Sequence, residues 1–355
     1  MRRFIVFALF LLILITAGCG QATRETVNSD QPKSQPGILK IHFVDVGQAD
    51  AILVQAGEQN MLIDAGNNAD GDLVEDYLHQ QGVQKLAVVM GTHPHEDHIG
   101  GLDQVINNFD VEKVYLPKVN HNTATYRDVL LAVKNKNLKA TPAQGGQAFQ
   151  LGEARVEILA PNSSHYEELN DYSIVCKVTF GDSRFLLTGD AEKASEQEML
   201  KKGYNLQADV LKVGHHGSRS SSGEKFLQAV SPKMAVIMAG QNNDYGHPHK
   251  ETLQRLAAAG IKVYSTAQAG TIVMTSDGKN IQVDTAKVTP AAVPADVEKV
   301  YVDEQGRGLI KGNINKRGDK IYHLPGQINY EATKPEAWFK TEAEAQAAGF
   351  RRADR

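Results

Sequence analysis

The chain is short of three things that would have set its class at once. It carries only two cysteines, Cys19 and Cys176, in 355 residues, so the count by itself assigns no redox compartment. It has no surplus of basic charge: 38 Lys and Arg stand against 42 Asp and Glu, a formal net charge of −4. A tight, long-lived complex with DNA is therefore not expected, although an enzyme that touches DNA and lets go fits that balance. It also lacks a comfortable membrane span. The apolar run at residues 4–15 is well short of the roughly 20 residues a spanning helix needs. A DNA-conducting channel is not expected of this chain.

What is present is ordinary globular material, 41% hydrophobic and 23% charged, enough for one large domain and a smaller one. The start, Met1-Arg2-Arg3 followed by the apolar run and Thr16-Ala17-Gly18-Cys19, has the layout of an export signal. It resembles a bacterial lipobox, in which small residues precede a cysteine that becomes the lipidated N-terminus. Residues 1–19 are thus expected to be a lipoprotein signal peptide. Cys19 would be the lipid attachment point of an extracytoplasmic, membrane-anchored protein. Thr16 stands where such signals usually carry Leu or Val, which leaves a signal anchor or a secreted form as the alternative. Cys176 is then without a partner and, within an expected strand at 174–180, reads as a small buried hydrophobe. Residues 20–37, polar and with two prolines, read as a disordered tether.

The stretch around which the rest is organised is Thr92-His93-Pro94-His95-Glu96-Asp97-His98-Ile99-Gly100-Gly101, just after an apolar strand at 86–90. Three imidazoles and the Asp97 carboxylate crowd one short loop. His93 and His95 can turn toward one cation, and Asp97 and His98 can reach a second. Such donors suit zinc, manganese or iron rather than calcium or magnesium alone. The Gly-Gly after them is expected to let the backbone fold tightly.

This run resembles the signature of the metallo-β-lactamase superfamily of binuclear metallo-hydrolases. Further stretches narrow the resemblance to the hydrolase domain of the competence DNA-uptake protein ComEC and its stand-alone relatives. They are His42-Phe43-Val44-Asp45-Val46-Gly47-Gln48-Ala49-Asp50, Leu62-Ile63-Asp64-Ala65-Gly66, Leu187-Thr188-Gly189-Asp190, Leu211-Lys212-Val213-Gly214-His215-His216-Gly217-Ser218 and Tyr245-Gly246-His247-Pro248, in the family's order. The resemblance covers about residues 39–283. It implies two divalent ions, zinc or manganese. The first would be held by His93, His95 and a bridging Asp190, the second by Asp97, His98, Asp190 and one of His215 and His216. Family spacing favours His216, with His215 behind it; the reverse assignment is open. Many superfamily members carry a further His before the bridging Asp, and here the candidates are His165 and the Asn170-Asp171 pair. Asp45 and Asp64 end strands near the site, either as carboxylates behind the ligands or as loop caps. His42 reads as structural. His247 can protonate a leaving oxygen or clamp a phosphate, and Lys212 and Ser218 can contact a phosphoryl group; each can equally brace a loop.

Strands and helices alternate in two halves, which suits an α/β four-layer αββα sandwich over residues 38–285. Helices are expected at 70–81, 101–109, 125–136, 191–202 and 250–259, and strands at 263–264, 271–275 and 281–283 close the second sheet. The helix at 101–109 should point its N-terminus at the site, a favourable place for an anionic group. An Ala- and Pro-rich linker at 286–299 leads to a small module at 300–355, which resembles the sunset module of extracellular nucleases and other surface proteins. The tail at 350–355 carries three arginines against one aspartate. Contact with the cell wall or with DNA is the partner expected of this module.

Two-metal chemistry and the ComEC-like motifs point to a phosphodiesterase or nuclease working outside the membrane, with single-stranded DNA as a candidate substrate. Hydrolysis of a wall or teichoic-acid phosphoester such as phosphorylcholine is the alternative enzymatic reading. A surface DNA- or wall-binding protein is the non-enzymatic one.

Overall fold

The computed structural model describes residues 37–284, 301–303, 305–315, 318–325, 327 and 330–353. The expected signal peptide with Cys19, nearly all of the tether and the linker at 286–299 lie outside the described residues. Among those residues, no helix is long and apolar enough to cross a membrane.

Two sheets face each other. The eight-stranded one runs, edge to edge, Ile281–Val283, Ile272–Ser276, Leu39–Phe43, Ile52–Ala56, Gln59–Ile63, Val88–Met90, Val114–Pro117 and Ala140–Ala143. The seven-stranded one runs Lys262–Ser265, Met234–Ile237, Val210–Lys212, Ser183–Leu187, Val175–Phe180, Ala154–Ala160 and Ala148–Leu151. Alternation along each strand sorts the side chains. Ile41, Phe43, Val54 and Met61 from the first sheet meet Val156, Ile158, Val178 and Phe185 from the second in one central core. Leu53, Leu62 and Val89 point the other way, under helices that contribute Val74, Leu78, Val105 and Val129. Leu186, Leu211 and Ile237 do the same on the far side, under Met199, Phe226 and Leu256. The layers are therefore αββα. Because strands are covered on both faces, their sequences are nearly continuous apolar runs. Phe185, fully buried between the sheets, is a place where truncation to Ala costs about 3–5 kcal/mol.

The expected helices form at Gly71–Gln80, Leu102–Asn108, Ala124–Asn135, Lys193–Lys202 and Lys250–Ala258. The expectation that the strands near 271–275 and 281–283 close the second sheet is corrected. Ile272–Ser276 pairs antiparallel with Leu39–Phe43, Met274 opposite Ile41, so the chain returns to the first sheet. Strand pairing across that many residues is a tertiary choice, and hydrophobic pattern reports only that a strand exists.

Neighbouring parallel strands end at the same edge of the sandwich. Gln59–Ile63 and Val88–Met90 run parallel in one sheet, as do Ser183–Leu187 and Val210–Lys212 in the other. The loops leaving these four carboxyl ends carry Asp64, the His-rich run, Asp190 and the His215-His216 pair. The C-terminal residues form a separate four-stranded sheet, Ala337–Phe339, Ile310–Ile314, Lys320–His323 and Arg351–Arg352, over a small core of Ile310, Tyr322, Leu324, Ala345 and Phe350.

Candidate metal centre

The His-rich loop is seated by close packing. Gly100 has an ordinary helical φ of −57°, so the need for glycine there is not conformational. A Cβ on it would lie 2.1 Å from the Asn67 carbonyl carbon, and one on Gly101 would lie 2.6 Å from the Ala65 oxygen. Backbone strain is accepted at three positions of the site. Asp64, His215 and His216 have φ of 57°, 46° and 51°, a left-handed region that costs non-glycine residues about 1–3 kcal/mol and is accepted where side chains must be aimed.

Ligand atoms of Asp97, His98, Asp190 and His216 all lie within 4.8 Å of one another. His98 Nε2 is 3.2 Å and His216 Nε2 is 3.5 Å from Asp190 Oδ2, and His216 Nε2 is 3.2 Å from Asp97 Oδ2. Beside this group, His93 Nε2 and His95 Nδ1 are 2.9 Å apart, and the His93 ring stands 4.2 Å from that of His98. The set assigned to the first ion is thus adjacent to the second, with the His93–His95 pair less tightly gathered around Asp190.

The far nitrogens explain which atoms face inward. His98 Nδ1 donates to Asp64 Oδ2 at 2.8 Å, and His216 Nδ1 donates to the Met238 carbonyl at 2.9 Å. Each leaves its Nε2 as the atom turned to the group, the arrangement by which ligating imidazoles are oriented. Asp64 is itself held by the Thr92 amide and hydroxyl, both at 2.7 Å. His93 Nδ1 meets the Thr92 and Ser173 hydroxyls at 3.1 and 3.3 Å, and Ser173 Oγ also accepts from the Asp190 amide.

The donor set fits divalent cations. Asp190 is 2% exposed and His98 fully buried, yet neither Asp190 Oδ1 nor His98 Nε2 makes an aligned hydrogen bond, the 3.2 Å approach between the two side chains notwithstanding. Buried polar atoms are seldom left so. Burial opposes charge on His98 and His216, but Asp190 and the neighbouring carboxylates outweigh it. His98 is pushed well above its ordinary value and His216 up to about 10. Carboxylates that hold protons on buried imidazoles are arranged to exchange them for a cation. His93, by contrast, is held neutral by burial and by the charge on His98.

His216 is therefore the member of the pair inside the group. His215 sits at the rim, one-quarter exposed, its Nδ1 2.7 Å from Glu192 Oε1 and its Nε2 3.8 Å from Asp190 Oδ2. Four expectations are corrected. His165 is exposed and touches the Tyr172 hydroxyl, away from the ligands. Asp171 accepts from the Glu192 and Ser195 amides and caps the helix Lys193–Lys202, while Asn170 reaches Glu192 and the His215 ring. Neither joins the metal group. Lys212 is fully buried, its ammonium 2.7 Å from Asp50 Oδ2 and bonded to the Gly189 and Val213 carbonyls, so it offers no charge to a phosphoryl group. Ser218, also buried, bonds Ser220. Of the two strand-ending carboxylates, Asp64 stands behind a ligand and Asp45 caps its own loop through the Gly47 amide. His42, against Tyr77 and Gln55, is structural as read.

Asp50 is the residue that sequence reasoning missed. Its Oδ1 is 3.5 Å from His216 Nδ1, a charge contact behind that ring without an aligned hydrogen bond, while its Oδ2 faces Lys212. The signal was its position in Gln48-Ala49-Asp50, beside the motif that carried the resemblance. His247 stands on the rim opposite the loop, 5.3 Å from the His215 ring. Gln48 Oε1 accepts from the Gly240 amide at 3.0 Å, which turns its Nε2 toward His247 Nδ1 at 3.3 Å. Burial and the neighbouring imidazoles hold His247 down at about 4, so it is neutral near pH 7 with its hydrogen on Nε2.

The fold and this site define a class. The family model described as Metallo-beta-lactamase superfamily matches residues 44–241, over half of the chain, and the chain belongs to that superfamily as a metallo-hydrolase. Competence proteins are among its relatives. It is 34% identical over 251 residues to ComE operon protein 3 of Bacillus subtilis (strain 168), covering 66% of this chain and 32% of that protein. It is 30% identical over 230 residues to Competence protein ComA of Neisseria gonorrhoeae, covering 64% and 31%. The chain thus spans about a third of the length of these relatives. The solved metallo-beta-lactamase fold protein YhfI from Bacillus subtilis aligns with a TM-score of 0.46 at 15% identity, over 67% of this chain and 100% of that one. A second family, described as ArfC, matches residues 303–352.

Proposed function

We propose that the chain is a metal-dependent phosphodiesterase of the competence-nuclease type, tethered outside the cytoplasm by lipid on Cys19. The observation that carries this reading is the gathering of Asp97, His98, Asp190 and His216 beside His93 and His95. Zinc or manganese ions held there would activate water and neutralise charge on a phosphodiester. The chain's own residues do the rest. Asp64 and the Met238 carbonyl aim the imidazoles. His247, neutral and with Nε2–H outward from Gln48, donates to a non-bridging phosphoryl oxygen as a clamp rather than supplying a proton to the leaving group. Contact with DNA or wall is assigned to the C-terminal sheet, where Lys311 lies 4.3 Å from the Tyr330 ring and 5.8 Å from that of half-exposed Trp338.

The test is hydrolysis by the full chain loaded with manganese or with zinc, on single-stranded oligonucleotide and on phosphorylcholine esters. Cleavage of the oligonucleotide, abolished in Asp190→Ala, is expected. Two bound ions without any phosphodiester hydrolysis would sink the reading.

A further inference from the structure

Tyr245 is 69% exposed, yet it is not a loose surface residue. Its ring lies 5.7 Å from that of His247, with 21° between the planes. His247 in turn stands 6.2 Å and 27° from His216, which belongs to the metal group. Three nearly parallel rings thus step outward from the candidate centre, and the last presents a large aromatic surface to water.

The loop that carries it is braced. The Asn243 side chain donates to the Gly240 and His247 carbonyls and accepts from the His247 amide, closing the turn beneath Tyr245. Gln48 ties the same loop to the first sheet's loop through Gly240 and His247. Holding an aromatic ring in the open beside a reactive centre forgoes the burial that such a side chain normally gains. An exposed ring on a braced loop next to a phosphodiester site has the properties of a stacking surface, which accepts any base because every base has a π-face.

We infer that Tyr245 is a platform on which the planar base flanking the scissile phosphodiester stacks, which fixes the substrate class as one carrying such a base. The inference rests on the phosphodiesterase reading. A polyol phosphate has nothing to lay on the ring. A choline ester would place a quaternary ammonium over it instead.

The experiment compares an oligothymidylate with the same phosphodiester backbone built from abasic tetrahydrofuran units, using the manganese-loaded full chain. Binding of their hydrolysis-resistant phosphorothioate forms is followed by anisotropy. Wild type is expected to favour the base-bearing oligomer by about 5- to 100-fold, in KM and in binding alike. In Tyr245→Ala that ratio falls toward one, and Tyr245→Phe and Tyr245→Trp restore it. Equal losses on both oligomers in Tyr245→Ala would overturn the inference and make the ring a brace for His247. Dependence on Tyr245 confined to phosphorylcholine esters would overturn it as well. If neither oligomer is cleaved but binding keeps its Tyr245-dependent preference for bases, the platform stands and the phosphodiesterase reading fails.

Discussion

Lys212→Met separates a structural lysine from a substrate-binding one. The ammonium is fully buried 2.7 Å from Asp50 Oδ2, and Asp50 is 1% exposed. Burial raises the Asp50 carboxyl, but Lys212 and His216 together hold it below its ordinary value. Removing the lysine strands a carboxylate inside the sandwich, a change that costs about 3–5 kcal/mol, out of the roughly 5–15 kcal/mol available to a folded domain. The bonds to the Gly189 and Val213 carbonyls go with it. Gly189 immediately precedes Asp190, so the loop that carries this candidate ligand loosens and metal retention should fall. Urea denaturation at pH 7 with metal analysis reads both effects. Lys212→Met with Asp50→Asn leaves no stranded charge and should recover a large part of the stability lost in the single variant. A loss under about 1 kcal/mol for Lys212→Met, or a double variant as unstable as the two singles added, would refute the reasoning. A stable variant whose only defect is a raised KM would return Lys212 to the phosphoryl-binding role.

His42 is held neutral by burial, down from 6.5 to about 4. The unfolded chain takes up this proton first as pH falls, so the contribution is complete above pH 6.5 and lost between there and pH 4. It is worth about 3 kcal/mol, and in His42→Gln the acid slope of the denaturation midpoint should flatten; an unchanged slope assigns it to other groups. His216→Ala should lose one bound ion and nearly all hydrolysis, whereas His215→Ala keeps both ions and loses about 10–100-fold in rate; metal counts in the opposite order would reverse the pair. Cys19→Ala should abolish labelling by radioactive fatty acid, and absence of label on the wild type would replace the lipoprotein reading with a signal anchor.

The candidate ligands are legible locally because they sit close in sequence. Thr92 to Gly101 packs three imidazoles and a carboxylate into one loop after a strand, and Asp190 and the His215-His216 pair follow apolar strands of their own. Strand and helix periods were equally local, and with them the αββα layering. What lay beyond reach depended on residues far apart in the chain. His216 rather than His215 enters the group because a left-handed turn rotates one ring inward, to Asp97 119 residues earlier, and leaves the other at the rim. Lys212 can contact a phosphate or brace a loop as far as its own segment tells, and Asp50 opposite it in the interior decides for the brace. Asp171 is a candidate ligand by its place before the bridging Asp, yet its oxygen closes a helix N-terminus. The strand at Ile272–Ser276 joined the first sheet because Leu39–Phe43 had an open edge there, which no pattern within 272–276 encodes. A sequence fixes what each residue can donate, accept or carry; which partner it meets is set by the packing of segments that local periodicity leaves independent.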